Sequence, residues 1–181
     1  MENIYKDEDY ILWRLMTQTR NALLKTRSRE LKRHRLTHRI SGIMTIVGAA
    51  GREATPSLIA RWLVLEPHSI SEHVARMEKK GLTKRVNNPK RRNSIIVELT
   101  QKGQKAYPHI TKLESIHRIM SCLSKEQRQQ LRSILLTLRN AALKELGIKG
   151  EFPHPTLGNS QENRHGCRDY FGSYRVGRFY S

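Results

Sequence analysis

Polar and cationic side chains between residues 68 and 92 have types and spacing that suit binding to a polyanion. Ile70, Val74 and Met77 recur at positions i, i+4 and i+7 and predict the buried face of a helix. The side chains off that face are free to reach bases or phosphates, and they are His68, Ser69, Ser71, Glu72, Arg76 and Lys79. A second group lies in a polar loop and consists of Lys90, Arg91 and Arg92.

The charged side chains of these groups can each contact duplex DNA in a specific way. Arg76 can pair with guanine O6 and N7 or with a phosphate. Arg92 is expected to enter the narrow minor groove, with Lys90 and Arg91 near the flanking phosphates. DNA repels the acid Glu72 unless it accepts a hydrogen bond from a cytosine amino group or orients an arginine. The alternative for each of these residues is an ordinary solvated side chain, and it stays open.

Two short helices and a hairpin are the elements that would position these side chains. Thr55 and Pro56 form a helix start, with a capping hydroxyl followed by proline at the first helical position. The apolar face of this helix is predicted to be Leu58, Ile59, Leu63 and Val64. Pro67 opens a second helix and Gly81 ends it. Segments 82–86 and 95–100 are predicted strands around the loop 87–94, so the whole unit is typical of a module that grips duplex DNA.

Residues 55–103 also contain a set of motifs in a characteristic order. They are Thr55 to Ala60, Ser69-Ile70-Ser71, Arg76, Glu78-Lys79-Lys80-Gly81-Leu82, Arg85, Asn88-Pro89, Arg92 and Leu99-Thr100-x-Lys102-Gly103. In these motifs the chain resembles the winged-helix repressors of the MarR family. The resemblance implies a mainly α fold with a small β-hairpin wing, that is, a winged helix-turn-helix with flanking dimerisation helices. Family wings usually carry an Asp-x-Arg salt bridge, which Arg91 and Asn93 replace here, so a more cationic wing without that stiffening is expected.

The charge balance also favours a polyanionic partner. The net charge is +18, from 34 Lys and Arg against 16 Asp and Glu. Nine basic residues lie between Arg14 and Arg39, where Glu30 is the single acid. A second basic cluster in the wing comprises Lys84, Arg85, Lys90, Arg91 and Arg92. A basic surface can also serve solubility alone, or bind nucleic acid without sequence choice, as a compaction or RNA-binding protein does. Both remain alternatives to a sequence-specific transcriptional regulator.

Amphipathic helices are predicted on both sides of the DNA-binding unit. The expected divisions are an N-terminal dimerisation helix at 1–36, a winged helix-turn-helix at 37–103, C-terminal dimerisation helices at 104–147 and a poorly ordered basic and aromatic tail at 148–181. Because two DNA-binding units must be held about one helical turn apart, the apolar stripes of the flanking helices predict a homodimer. The residues expected at its interface are Leu12, Leu15, Leu23, Leu131, Leu135 and Leu138.

Helix boundaries in the C-terminal region are predicted from proline and capping signals. A helix is expected over 101–121, bent or delayed by Pro108. Ser124 and Gln127 predict a capping box that opens the last helix, which ends at Gly147. The tail either adds non-specific affinity for nucleic acid through charge and stacking or has no role.

The family resemblance further implies a ligand pocket between the dimerisation helices and the winged helix. In this chain its lining is expected to include Trp13, Met16, Met44 and Trp62, which suit a small amphipathic aromatic effector. Each of these side chains also fits an ordinary core position, and a constitutive DNA binder without an effector remains an alternative.

Other chemistry finds little support in the sequence. No apolar run reaches the roughly 18 residues of a membrane span, and the N-terminus lacks the order of a secretory signal, so a cytoplasmic protein that avoids membranes is expected. Cys122 and Cys167 suit neither a disulfide framework nor a zinc site, and Cys122 is expected to be a small buried hydrophobe. The histidines lack ligand spacing, and no phosphate loop, nucleophile elbow or carboxylate pair is present. The sequence therefore predicts no metal, no cofactor and no enzymatic activity.

Overall fold

The predicted mainly helical fold with one small hairpin is confirmed. The computed structural model describes residues 4–89, 91 and 94–148. Their elements are α1 (Glu8–Lys32), α2 (His38–Ala50), α3 (Pro56–Leu63), α4 (Pro67–Lys79), β1 (Thr83–Asn87), β2 (Ile95–Leu99), α5 (Gln101–Thr111), α6 (Glu114–Met120) and α7 (Lys125–Glu145). Strands β1 and β2 pair antiparallel, with Thr83 opposite Leu99 and Asn87 opposite Ile95. The predicted tail lies outside the described residues from Lys149 onward.

The hydrophobic core lies where α2, α3 and α4 meet the hairpin and α5. The apolar residues predicted to face inward from α4 are buried, namely Ile70, Val74 and Met77, and so are Ile40, Ile43, Met44 and Val47 of α2. Ile59 of α3, Val97 of β2 and Ile110 of α5 join the same cluster. Because the core holds one whole face of α4, it also fixes which face of that helix is presented to solvent.

The two helices of the helix-turn-helix begin as the sequence predicts. The hydroxyl of Thr55 accepts a hydrogen bond from the Leu58 amide at 3.2 Å, with Pro56 at the start of α3. Pro67 opens α4, and Gly81 follows it with a φ of +68°, a conformation that suits glycine. The prediction for Val64 was wrong, because it is 45% exposed. Val64 lies at the left-handed end of α3 instead of on its buried face, and this turns the chain toward α4.

The end of α1 differs from the prediction, which extended the N-terminal helix to residue 36. The helix ends at Lys32, and residue Arg35 takes the left-handed conformation with a φ of +58°. The Leu36 amide then donates to the Leu31 carbonyl at 3.1 Å, and the Arg35 amide donates to the Lys32 carbonyl at 3.0 Å. Leu31 and Leu36 are both buried. This is a Schellman closure with arginine where glycine is usual, so no glycine marked the helix end in the sequence.

The segment 101–121 forms two helices instead of one. Pro108 lies inside α5 and does not delay its start, and the break comes at Leu113, whose φ is +54°. The capping box of Ser124 and Gln127 at the start of α7 is confirmed. Cys122 is exposed in the turn between α6 and α7, so the prediction that it would be buried was wrong. Short apolar runs at helix ends do not show whether a neighbouring element covers them.

A polar network ties α1 to the α5–α6 junction. Glu30, the single acid of the basic segment, forms an ion pair with Arg27 at 2.7 Å. Its carboxylate also accepts hydrogen bonds from the amides of Glu114 and Ser115, both at 3.2 Å, and from the Ser115 hydroxyl. Arg27 in turn donates to the Ile110 carbonyl at 2.6 Å. Because Leu113 offers no side-chain cap to α6, Glu30 supplies that cap from a distant helix.

Replacing Glu30 with glutamine is expected to destabilise the protein by about 3 kcal/mol at neutral pH. Burial alone would raise the pKa of Glu30, but hydrogen bonds from Arg27 and Ser115 and the charge of Arg27 lower it from 4.5 to about 2. A carboxylate with a depressed pKa stabilises the fold above its unfolded value, and that contribution is lost as pH falls from about 4.5 toward 2. Urea unfolding of both proteins, at one protein concentration between pH 7 and pH 3, measures the difference. If the difference in unfolding free energy between the two proteins did not become smaller below about pH 4.5, the stabilising role of the Glu30 carboxylate would be contradicted.

Candidate nucleic-acid interface

The polar face of α4 is exposed opposite its buried face. His68, Ser71, Glu72, Arg76 and Lys79 are exposed, and Ser69 is half-buried beside Ile70. The helix begins at Pro67, so the first of these side chains lie at its N-terminal end. An exposed polar N-terminal half on a helix anchored by its other face is the arrangement that lets a helix enter the major groove.

Glu72 lies between two cationic or ionisable partners on α4. Its carboxylate forms an ion pair with Arg76 at 2.8 Å and contacts His68 Nε2 at 3.1 Å. Both partners are four residues away, so the contacts follow from one turn of helix. Of the alternatives left by the sequence, the geometry favours a carboxylate that orients arginine over an isolated solvated acid. An ion pair this exposed adds little stability, and its importance lies in the direction it gives Arg76.

The hydroxyls of the two serines at the start of α4 differ in their hydrogen bonding. The Ser71 hydroxyl donates to the Pro67 carbonyl at 3.0 Å, whereas the Ser69 hydroxyl has no such bond among the described residues.

His73, also on α4, is half-buried, and burial together with the charges of Arg39 and Arg76 lowers its pKa. Arg39 of α2 therefore lies close enough to α4 to contribute to its positive field.

The base of the hairpin is held to α4 by a second acid. Glu78 accepts from the Arg85 amide at 2.7 Å, and its other oxygen pairs with the Arg85 guanidinium at 2.7 Å. On the neighbouring strand, Glu98 pairs with Lys84 at 3.0 Å across the ladder. Lys84 and Arg85, counted in the sequence as part of the basic wing cluster, therefore have their charges matched by acids. Sequence reasoning missed these pairs because contacts between separate elements have no fixed spacing in the sequence.

The loop between the strands is described only in part. The Asn88 amide donates to the Ser94 carbonyl at 2.8 Å, which continues the ladder toward the loop. Arg91 is exposed there. Lys90, Arg92 and Asn93 lie outside the described residues, so their predicted contacts remain predictions. Arg91 is thus the described cation of the wing loop, placed beyond the paired charges at the hairpin base.

The motif Leu99-Thr100-x-Lys102-Gly103 secures the hairpin to α5. Thr100 caps α5 by accepting from the Gly103 amide at 3.1 Å, and its hydroxyl donates to the Gly81 carbonyl. The Lys102 ammonium donates to the Lys80 carbonyl at 2.7 Å. A Cβ on Gly103 would meet the Leu82 carbonyl oxygen at 2.1 Å, so only glycine fits. These contacts close the end of α4 onto α5 and fix the hairpin relative to α4.

The four residues predicted to line a ligand pocket are spread over different environments. Trp13 and Met16 are exposed on α1, Met44 is fully buried in the core, and Trp62 is half-buried against it. A cavity of about 420 Å³ lies elsewhere, between the end of α2, β2 and α5, and its lining includes Val47, Arg52, Glu98, Leu99, Gln104 and Tyr107. Met44 is buried because it lies on the core-facing side of α2, and the pocket lining proposed from the sequence stays a prediction.

Two histidines are in contact where the α1–α2 turn meets α5. His34 and His109 stack with ring centroids 3.9 Å apart, which joins the α1–α2 turn to α5. Over residues 4–89, 91 and 94–148, no three histidine, cysteine or carboxylate side chains converge as metal ligands would. Nor does any helix in that part of the chain combine the length and apolar character needed to cross a membrane.

Comparison with known proteins finds the same module. Residues 36–103 match the winged helix DNA-binding domain family. No curated protein sequence matches the chain. Among solved structures, the organohalide-sensing transcriptional regulator RdhR, in its 2,4-dichlorophenol-bound form, is 27% identical with a TM-score of 0.69. That match covers 79% of this chain and 87% of the other.

Two further structures were solved with DNA. MepR of S. aureus, in a DNA complex, is 19% identical with a TM-score of 0.65 over 70% of this chain and 95% of its own. A mutant of MarR from E. coli, complexed with operator DNA, is 18% identical with a TM-score of 0.65 over 73% and 96%. These two likenesses concern the fold. With the winged-helix match over residues 36–103, they show that the chain contains a winged-helix DNA-binding domain and shares the fold of MarR and MepR.

Proposed function

We propose that the protein is a homodimeric repressor that binds a specific duplex DNA sequence and releases it in response to a small ligand. The observation that carries the proposal is the exposed polar face of α4, on which Glu72 directs Arg76 while the core holds the helix in place. When the arginine of a DNA-binding helix is already oriented, its side chain loses less conformational entropy on binding. Its fixed direction also favours one base pattern over others.

Dimerisation is supported by apolar side chains that one chain leaves uncovered. In α1, Leu12 and Leu15 are each 57% exposed, and in α7, Leu135 is 50% exposed. Leu131 and Leu138 are exposed on the same stripe of α7, and Leu23 is half-buried. Monomeric proteins rarely expose continuous apolar stripes, and burial of each leucine contributes roughly 1.5–3 kcal/mol. A second copy of the chain would cover both stripes and hold two reading helices together.

The contacts with DNA are assigned by position on α4 and the wing. His68, Ser69 and Ser71 lie at the end of α4 that meets base edges, and Arg76 and Lys79 follow on the exposed face. Arg91 and, by the sequence pattern, Lys90 and Arg92 would contact the backbone and minor groove beside it. Ser69, with its hydroxyl free of bonds among the described residues, is the better placed of the two serines to contact a base or phosphate.

Replacing Arg76 with alanine is expected to weaken binding to the specific duplex by about 1–3 kcal/mol and to relax base choice at one position. Replacing Glu72 with glutamine should give a smaller loss, since Arg76 keeps its charge and loses only its direction. Fluorescence anisotropy with a panel of single-base variants measures both effects. Lys125 on α7 is exposed and provides the matched control, K125A, which should bind normally. Equal weakening across every duplex in the panel would show that Arg76 contacts phosphate without reading a base.

The proposed ligand response is supported by a structurally similar regulator. RdhR, which shares 27% identity with this chain, was solved with an aromatic phenol. Since Trp13 and Met16 are exposed in the single chain, a pocket that includes them would be completed by the partner subunit. An amphipathic aromatic ligand should then raise the melting temperature and release DNA together, because it must favour one state over the other. Ligands that stabilise the protein but never change its DNA affinity would contradict this part.

The experiment that tests the function compares the DNA upstream of the protein's own gene with random duplex at one fixed salt concentration. Specific regulators bind their sites roughly 10³–10⁷ times more tightly than random DNA. A ratio near one would instead support a non-specific nucleic-acid-binding protein, an alternative that the net charge of +18 favours. A reporter under the same upstream DNA, measured with and without the protein, separates repression from activation.

A further inference from the structure

A cationic corner extends the positive surface of α4 toward the junction of α1 and α2. We define the corner surface as Lys32, Arg33, Arg35 and Arg39, which lie at the end of α1, in the turn and at the start of α2. The first three side chains are exposed, and Arg39 is half-buried. This surface belongs to neither group of DNA-contacting residues discussed so far, and it contains four of the nine basic residues between positions 14 and 39.

The charges of the corner surface are not balanced by nearby acids. In the described part of the chain, none of the four side chains forms an ion pair, whereas Lys84, Arg85 and Arg76 each do. The nearest acid in sequence, Glu30, turns inward to Arg27 and Ser115 and is almost buried. A group of unpaired cations repels itself, so it gains free energy from an external polyanion more readily than a paired surface does.

The corner surface is continuous with the reading helix and is held rigidly. The charge of Arg39 contributes to the lowered pKa of His73 on α4, and Arg39 and Arg20 contribute, after burial, to the lowered pKa of His38. Ile40 and Ile43 of α2 are buried in the same hydrophobic cluster as Ile70 and Val74 of α4, so the start of α2 packs beside α4. The Arg27–Glu30–Ser115 network pins the last turn of α1 to α6, so the corner is fixed relative to the core.

Arg35 itself occupies a costly backbone conformation. Its φ of +58° is left-handed, a region that glycine adopts freely and other residues seldom adopt. Glycine would close the Schellman turn with less strain, so the arginine contributes nothing to the turn that glycine would not supply. A strained residue that glycine could replace points to a use for its side chain. Here that side chain is a long, exposed cation.

We infer that the corner surface contacts the backbone phosphates of duplex DNA flanking the segment read by α4. The inference rests on the proposed DNA-binding function and adds an outer contact to it. Phosphate contacts carry no base information, so the corner would increase affinity and footprint length without altering sequence choice. Arginine and lysine without counter-ions suit this role because each contact with a phosphate also releases a condensed counter-ion.

The test uses a variant that removes charge and keeps the turn, R33Q/R35G. Glycine at position 35 should leave the melting temperature unchanged or higher. Binding is measured over a salt series to two duplexes that share the recognised segment, one ending at its edges and one extended by about a helical turn on each side. The variant should lose about tenfold affinity for the extended duplex, with a salt slope lower by about 0.9 for each phosphate contact removed, and little for the short one.

The controls separate failure of this inference from failure of the proposed function. K125Q/K144Q removes the same charge from exposed positions on α7 and should match wild type on both duplexes. If wild type prefers its specific duplex but R33Q/R35G binds both lengths as wild type does, the corner inference alone is overturned. Loss of affinity for single-stranded RNA but not for extended DNA would overturn it as well. If wild type shows no preference for any duplex, the proposed function fails first. If R33Q/R35G lowers the melting temperature, K32Q is measured on the same two duplexes. Weaker binding to the extended duplex alone supports the inference, and wild-type binding to both overturns it.

Discussion

Replacing Leu135 with aspartate is expected to convert the dimer into a folded monomer that loses at least about 100-fold affinity for the specific duplex. Leu135 is 50% exposed at the middle of the apolar stripe on α7, so a single chain does not need it for its core. In a dimer it would be buried, and a charge there would remain without a partner in an apolar interface. Since each subunit binds half of the site, separating the subunits removes the gain from joint binding.

Sedimentation at micromolar concentration and circular dichroism measure assembly and folding separately for this variant. Val64 provides the matched control, because it is a 45% exposed apolar residue at the end of α3 and not part of the stripe. V64D should keep the wild-type mass, and aspartate tolerates the left-handed backbone at that position better than valine does. A wild-type protein that sediments as a monomer would contradict the proposed dimer, as would an unchanged mass for L135D.

Replacing Gly103 with alanine is expected to destabilise the protein by about 2–4 kcal/mol. The added Cβ would lie 2.1 Å from the Leu82 carbonyl oxygen, a backbone atom that cannot rotate away. That carbonyl also accepts from the Thr100 amide at 3.1 Å, so relief of the clash would weaken the link between β1 and α5. Alanine has the higher helix propensity by about 1 kcal/mol, which offsets only part of this cost.

Urea unfolding of G103A measures the loss directly, with G42A as the control. A Cβ on Gly42 would meet the flexible end of Leu63 at 3.3 Å, so that change should alter stability by less than about 1 kcal/mol. DNA binding at a temperature where G103A is folded should also weaken, because the hairpin would move relative to α4. Wild-type stability for G103A would show that the junction between β1 and α5 adapts more easily than its geometry indicates.

Capping residues and helical periodicity predicted the helix-turn-helix well. Thr55 and Pro56 mark the start of α3, Gly81 marks the end of α4, and Ser124 with Gln127 mark the start of α7, because caps act within one turn of helix. The period of Ile70, Val74 and Met77 identified the buried face of α4 and therefore the exposed one. These caps and the buried face of α4 depend on residues close together in the sequence, so the sequence alone predicts them.

Contacts between distant elements could not be predicted in the same way. Glu30 looked like a lone acid in a basic helix, but it caps α6 some 84 residues away. Arg85 looked like a free wing cation, but Glu78 holds it. The left-handed turns at Arg35 and Leu113 carry no glycine, so neither the end of α1 nor the α5–α6 break had a sequence signal. In each case tertiary packing overrides local preference.

Two copies of α4 are proposed to read one DNA site, and a hydroxyl-radical footprint on the upstream duplex is the direct test of that arrangement. Two protected segments are expected on one face of the duplex, with centres about 10–10.5 base pairs or a multiple of that apart. The R76A variant should lose both segments together, since each subunit uses the same arginine. A single protected segment, or uniform weak protection along the whole duplex, would contradict the claim.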